Sequence, residues 1–393
     1  MGLLASVTGY QMLALFTLGW LISHELTGDA RYLGYMSTAI AVPAIGLNLF
    51  GGALADKLNP KRLLALTQST TGALVLGLAI LTQLDMVNEW HVLAAAFLIG
   101  SAQAFDNPTR QSIFPRLVER KALFSAIALN ASLWTGTRII SPTIAGIIVG
   151  QASTAVAIFV SATGFVVLSL VSLTLKIPPL ERARGSVLNE MIMGFRFIKA
   201  SPIFSTLIAM TFFNSIFGMS YVILMPVFAD DVLKVGPEKI GLLMGAAGLG
   251  ALTGIGIGSR LSKARLKGWV LLGGAFLYGI FLMLFALTSN ANQYGLSMVV
   301  LFLGDMCISI YVMMVITTLQ SLVPDHLRGR IMGFFTMTWS LIPLGGLQSS
   351  QIAHLIGAPA AVAIGGGLVS AVALGVALTT RHVRNLGAPS DEF

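Results

Sequence analysis

Apolar residues run through this chain in long continuous blocks rather than in alternation with polar ones. A helix needs about 20 mostly apolar residues to cross a bilayer. By that ruler the pattern predicts twelve spans, over residues 3–24, 33–54, 63–84, 91–109, 124–149, 154–176, 204–228, 239–258, 269–288, 294–319, 331–356 and 360–380. Strands of a membrane barrel would alternate and would be shorter, about ten residues each. The expected fold class is therefore an all-α polytopic membrane protein with twelve transmembrane helices.

Composition narrows the picture in the same direction. Of 393 residues, 55% are hydrophobic and 10% charged, against roughly 25% charged in soluble chains. Soluble, disordered and fibrous classes are excluded, because too few charges exist to coat separate globular domains. Cys307 is alone within an apolar run, so no disulfide framework or cysteine metal site is expected. The five histidines, His24, His91, His326, His354 and His382, lack paired ligand spacing, and no metal or cofactor is expected. The net charge of +8 forms no stripe of the kind nucleic acid would need. Without a basic lead or an A-x-A site, the N-terminus does not read as a removable signal peptide.

The basic residues instead set an orientation. With twelve spans and the N-terminus inside, 20 of the 24 Lys and Arg fall on the cytoplasmic side. Only Arg31, Lys234 and Lys239 fall outside, and Arg138 lies within a span. One helix more or fewer would reverse the parity and destroy this asymmetry. Both termini are thus expected in the cytoplasm of a plasma membrane, a bacterial inner membrane by the resemblance below.

The segment Gln111-Ser-Ile-Phe-Pro115 recurs as Gln320-Ser-Leu-Val-Pro324, 209 residues on, in the same position between spans 4–5 and 10–11. The chain therefore reads as two pseudo-symmetric six-helix bundles, residues 1–176 and 203–381. A cytoplasmic connector over 177–202, carrying an amphipathic helix, joins them, and 382–393 form a cytoplasmic tail. Parallel six-helix repeats are one of the known transporter plans, with the substrate site between them near the midplane.

Between spans 2 and 3 stands Gly52-Ala-Leu-Ala-Asp56-Lys57-Leu-Asn-Pro-Lys61-Arg62. It resembles the loop signature of the major facilitator superfamily, Gly-x-Leu-Ala-Asp-Arg-x-Gly-Arg-Arg/Lys, with Asn59 and Pro60 where Gly and Arg are usual. The stretches Ala104-Phe-Asp106-Asn-Pro108-Thr-Arg110 and Arg138-Ile-Ile-Ser-Pro142-x-x-Ala-Gly146 resemble the branch of enterobactin and macrolide exporters. The resemblance covers nearly the whole chain and implies that spans 1, 4, 7 and 10 line a central cavity. It also implies a gate in which Gly52, Asp56, Lys57, Lys61 and Arg62 take part, with Asp106 and Arg110 as the span-4 partners.

Each polar residue carries a plain reading beside the functional one. Asp56 can face the positive N-terminal end of a neighbouring helix as a conformational latch, or belong to a solvated topogenic loop. Asp106 and Arg110 stand at i,i+4 and can simply pair, with Pro108 between them. Asp305 lies about eleven residues into span 10, where a charge costs roughly 2.5–3.5 kcal/mol. It is either a proton carrier on the transport path or a structural acid with a buried partner. Arg138 can attract an anionic substrate, balance Asp305 or Asp106, or bond carbonyls freed near Pro142. With Pro142 and Gly146 it matches the exporters' span-5 motif, although Ser141 stands where Gly is usual. Gln11, Gln103, Asn130, Asn214, Tyr221 and Trp339 line a mixed cavity or serve as interhelical bonds. Gly245, Gly248, Gly250, Gly254, Gly256 and Gly258 let helices pack closely.

No Gly-Lys dipeptide occurs, which rules out a phosphate-binding loop of the G-x-x-x-x-G-K-[ST] type. No extramembrane segment has room for an ATPase domain. The expected function is a proton-coupled exporter of small amphipathic molecules such as siderophores or drugs, working as a functional monomer by alternating access. A uniporter, an importer or a lipid flippase is the alternative within transport. A membrane sensor or scaffold has no need of Asp305, and a membrane enzyme would want clustered His, Asp or Ser at one face.

Overall fold

The computed structural model describes residues 2–113, 117, 123–175, 195–261 and 266–387. Side chains at 48–57, 123–125, 127–128, 131–132, 135, 325–326 and 328–330 are not described. Among the described residues every regular element is a helix. The first six spans are α1 (Gly2–Leu26), α2 (Arg31–Lys57), α3 (Pro60–Gln83), α4 (Glu89–Ile113), α5 (Leu123–Gln151) and α6 (Thr154–Thr174). The next six are α7 (Pro202–Val232), α8 (Pro237–Leu261), α9 (Lys267–Asn290), α10 (Tyr294–Leu322), α11 in two pieces (Asp325–Trp339 and Ile342–Ile356), and α12 (Ala358–Thr379).

Eight of these helices are long and apolar enough to cross a membrane: α1, α3, α6, α7, α8, α9, α10 and α12. The expected spans over α2, α4, α5 and α11 are helical as well. α4 carries Glu89, Asp106 and Arg110, and α11 is interrupted at Ser340–Leu341. The amphipathic connector lies mostly outside the described residues, which resume as a helix at 195–200. The first copy of the repeated pentapeptide also runs beyond them at residues 114 and 115.

Three spans depart from the continuous helices the pattern predicts. α1 widens into π-helix at Leu13–Thr17 and again at Leu21–Leu26. α7 breaks at Gly218–Ser220, resumes at Tyr221 and ends in a π-helical stretch, Phe228–Leu233. α11 breaks after Trp339, where Pro343 lies in the first turn of its second piece. Hydropathy counts apolar residues and has no term for the hydrogen-bond register within a run, so it passes over all three.

The helices form two compact units. Unit 1 contains α1 to α6 together with Met225–Asp230 and Lys234–Gly245; unit 2 contains the rest of the chain from α7 onward. In unit 1, α3 packs along α6 and α4, and α2 along α4. In unit 2, α9 packs along α12 and α10. The α3–α6 and α3–α4 pairings thus recur six spans later.

Small residues set how closely these helices approach. A Cβ on Gly100 of α4 would stand 2.1 Å from the Ile40 carbonyl oxygen of α2. On α8, Gly250 and Gly254 lie equally tight against the Phe302 and Met306 carbonyls of α10, while a Cβ on Gly258 would stand 3.0 Å from the Met313 side chain. The i, i+4, i+8 spacing puts all three on one face, the close packing expected of the glycine series, whereas Gly256 meets nothing within 4 Å.

α3 begins on Asn59, whose side chain accepts from the Lys61 backbone N–H at 3.1 Å, with Pro60 as the first helical residue. Asn59 and Pro60, the two departures from the loop signature, thus form a helix start: a side-chain cap followed by a residue with no N–H to satisfy.

Candidate functional site

Unit 1 holds a closed ring of polar side chains at the end of α1, α3 and α4 nearest the basic loops. Asp106, 2% exposed, accepts from Thr67 Oγ1 at 3.0 Å and from Gln68 Nε2 at 2.7 Å through Oδ1. Its Oδ2 accepts from Arg110 Nε. Arg110 Nη2 then donates to Ser6 Oγ at 2.9 Å, and Ser6 Oγ donates to Gln68 Oε1 at 2.8 Å. The circuit Asp106–Arg110–Ser6–Gln68 is complete, and Pro108 does not disturb the i,i+4 pairing because α4 runs through it. Buried charge-assisted bonds of this kind are the strong ones.

The other members of the expected gate are less gathered. Gly52, Asp56 and Lys57 close α2, with side chains outside the described set. Lys61 is half-buried and Arg62 exposed on the first turn of α3, and no described ion pair joins either to Asp106. Gln11 and Gln103 are buried, and Asn130 is half-buried.

The span-5 motif divides. Arg138, Pro142 and Gly146 stand at i, i+4 and i+8 along one face of α5, with Pro142 and Gly146 buried and Arg138 exposed two turns before Gly146. A Cβ on Gly146 would stand 2.5 Å from the Pro237 carbonyl oxygen, and Thr143 Oγ1 donates to the Gly241 carbonyl at 2.8 Å. The motif is a landing strip for the first two turns of α8, inside unit 1.

Unit 2 holds the second polar cluster. Asp305 of α10 is 8% exposed and accepts from Tyr221 Oη at 2.7 Å through Oδ2. Tyr221 is the first residue of α7 after its break, and its ring meets Phe285 of α9 edge-on, centroids 6.4 Å apart. The break itself is served by Tyr278 of α9, whose Oη donates to the freed Gly218 carbonyl at 2.9 Å. Thr211 and Tyr311 share a further 2.9 Å bond between α7 and α10. Asn214, 5% exposed, lies one turn before the break, with Nδ2 lacking a partner among the described residues. Trp339 sits half-buried at the break in α11, edge-on to Phe335.

Of the predicted cavity residues, Tyr221 bonds the predicted acid and Asn214 lies one turn before the break in α7, a broken helix of the kind transporters place at binding sites. Sequence reasoning missed Thr211, Tyr278 and Tyr311. A tyrosine hydroxyl deep in an apolar span needs a partner, and that was the available signal. No group of three or more His, Cys, Asp or Glu among the described residues is placed to hold a metal ion.

The family model described as Major Facilitator Superfamily matches residues 1–347. The staphyloferrin A transporter of Staphylococcus aureus is 27% identical over 342 residues, covering 84% of this chain and 82% of that one. The enterobactin exporter EntS of Shigella boydii is 27% identical over 352 residues, covering 86% of this chain and 77% of its own. Among solved structures, a bacterial homologue of the human lysosomal transporter Spinster superposes with a TM-score of 0.77 at 13% identity, covering 98% of this chain and 96% of that one. The nucleoside transporter NupG superposes with a TM-score of 0.71 at 14% identity, covering 97% and 99%. At these identities the structural likeness concerns the fold.

Proposed function

The chain belongs to the major facilitator superfamily, and on that footing we propose that this multi-pass membrane transporter is a proton-coupled exporter of small amphipathic molecules of the siderophore class. The relatives supply the substrate class, since a staphyloferrin transporter and an enterobactin exporter both match over most of the chain. The observation that carries the coupling is the buried Asp305–Tyr221 bond at the break in α7. A carboxylate in a span is costly and marks an ion or proton path by default. Its partner begins a helix segment that moves when the break flexes, so protonation of Asp305 and the geometry of α7 are tied together.

The Asp106 ring has a different part. Its carboxylate is committed to three donors, so it acts as a fixed anchor about which α1, α3 and α4 move as one body, and Asp305 carries the proton. The loop of Asp56, Lys57, Lys61 and Arg62 serves as the cytoplasmic latch, with both termini on that side of a bacterial inner membrane. The transporter works as a monomer by rocking between two gate states.

The test is accumulation of labelled siderophores, macrolides and cationic dyes in an efflux-deficient bacterium. The intact protein, Asp305→Asn and an uncoupler-treated control are compared. Exclusion of one compound by the intact protein alone supports the proposal. Export that survives Asp305→Asn yet fails under uncoupler removes Asp305 as the carrier. No change for any compound at good membrane expression overturns the export reading in favour of import or lipid flipping.

A further inference from the structure

The end of α1 furthest from the Asp106 ring carries a titratable pair that the coupling scheme leaves unused. His24 Nδ1 lies 2.5 Å from Asp230 Oδ1, both within unit 1. His24 sits in the π-helical stretch Leu21–Leu26 and Asp230 in the π-helical stretch Phe228–Leu233. The two residues are 206 apart in the chain. π-Helical turns are rare and gather at functional sites; here both members of one contact ride on them. About one turn earlier, Gly19 brings the backbones together, since a Cβ there would stand 3.1 Å from the Pro226 ring.

We propose that His24 and Asp230 form a proton-binding site, separate from Asp305, that clasps the outer end of α1 to that of α7. The imidazole is held in place by Trp20, whose ring stacks on it with centroids 4.4 Å apart, and Trp20 stacks in turn on Phe16. The indole thus holds the ring from its face and the Asp230 carboxylate holds it at Nδ1. The side chains are 47% and 23% exposed, so water reaches the pair and protons exchange without the barrier opening.

The other charges at this end are placed as follows. Glu25, next to His24, accepts from Thr154 Oγ1 of α6. Asp29 is bound by Arg31 in the following turn. Asp231 and Lys234 follow Asp230 in the chain, with Lys234 left-handed at φ 50° where α7 ends. Glu238 begins α8 with its side chain against Gly150 of α5, and Lys239 follows it.

The sign is fixed by the charges. A proton on His24 turns a hydrogen bond from a neutral imidazole to the Asp230 carboxylate into an ion pair, which is stronger. The clasp is therefore tighter when His24 carries a proton and looser when its imidazole is neutral. Protonation holds His24 to Asp230, and deprotonation loosens the contact.

A buried reporter beside the clasp reads its opening. Ser23 is 6% exposed; Ser23→Cys is built into a Cys307→Ser background and labelled with maleimide in nanodiscs, which expose both faces. Its rate is divided by that of Asn88→Cys, an exposed loop position, to cancel thiol ionisation. The expected ratio rises about threefold from low to high pH, the scale of a partly exposed ion pair. With His24→Gln it is flat, with His24→Arg low throughout, and with Asp230→Asn high throughout. A flat ratio in the unaltered pair, or a slope that survives His24→Gln, overturns the proposal. The readout needs no substrate and leaves Asp305 intact, so either result is independent of the exporter reading.

Discussion

Tyr221 and Asp305 stand 84 residues apart in the chain, yet the tyrosine hydroxyl donates to the carboxylate at 2.7 Å with both residues buried. The bond joins the first turn after the break in α7 to the middle of α10, so any change at the acid is passed to a helix that is already divided. Tyr221→Phe keeps the ring against Phe285 and deletes the donor. The expected result is a protein that melts earlier by about 1.5–3 kcal/mol of stability, the scale of a hydrogen bond to a charged group. The pH profile of transport shifts with it, whereas Thr211→Val, which cuts a neutral bond to Tyr311, lowers stability and leaves the profile in place. Melting curves and transport rates across a pH series distinguish the two.

The ring in unit 1 makes a contrasting prediction. Asp106→Asn leaves the Arg110 guanidinium, already 86% buried by its 14% exposure, without its counter-charge, at a cost of about 3–5 kcal/mol. Ser6→Ala removes a neutral hydroxyl from the same circuit and costs about 1–3 kcal/mol. Thermal unfolding of the purified protein in detergent is expected to rank them in that order. Equal effects would show that the circuit is not closed through Asp106.

Tyr278→Phe deletes the hydrogen bond to the Gly218 carbonyl, the group that the break in α7 leaves unserved by its own helix. A loss of about 1 kcal/mol is expected, together with faster hydrogen exchange at residues 218–222. Exchange measured by mass spectrometry checks it, and protection equal to the unaltered protein would sink the assignment.

Glycines separate by what surrounds them. Gly146→Ala drives a methyl to 2.5 Å from the Pro237 carbonyl, and Gly254→Ala drives one to 2.2 Å from the Met306 carbonyl. Both are expected to lower the yield of folded protein in the membrane, since rigid backbone has to give way. Gly77→Ala and Gly256→Ala meet nothing within 4 Å, and in helices they gain about 0.5–1 kcal/mol from the better helix former. Monodisperse yield after solubilisation distinguishes the pairs.

The fold was readable because a bilayer imposes a one-dimensional rule. Each span has to be long, apolar and internally hydrogen-bonded, so run lengths and loop charges carry the helix count without knowledge of any contact. Asp305 was readable for the same reason: a charge in such a run stands out. Its partner was readable only as a member of a group, since Tyr221 is one of several tyrosines and no spacing points from one to the other.

Other features depended on where distant helices meet. Gln68, Thr67 and Ser6 look like ordinary small polar residues of α1 and α3, and become a circuit only when three helices bring them round Asp106. His24 reads as an isolated histidine until the π-helical stretches of α1 and α7 turn it onto Asp230. The chain by itself determined the helical class, the span boundaries to within a few residues, the internal repeat and the lone mid-span acid, all set by local hydrophobicity and charge. The tertiary structure alone decided which polar atoms meet, where the helices break and which glycines touch backbone. Those depend on pairwise distances between helices, and hydropathy along one chain has no coordinate for them.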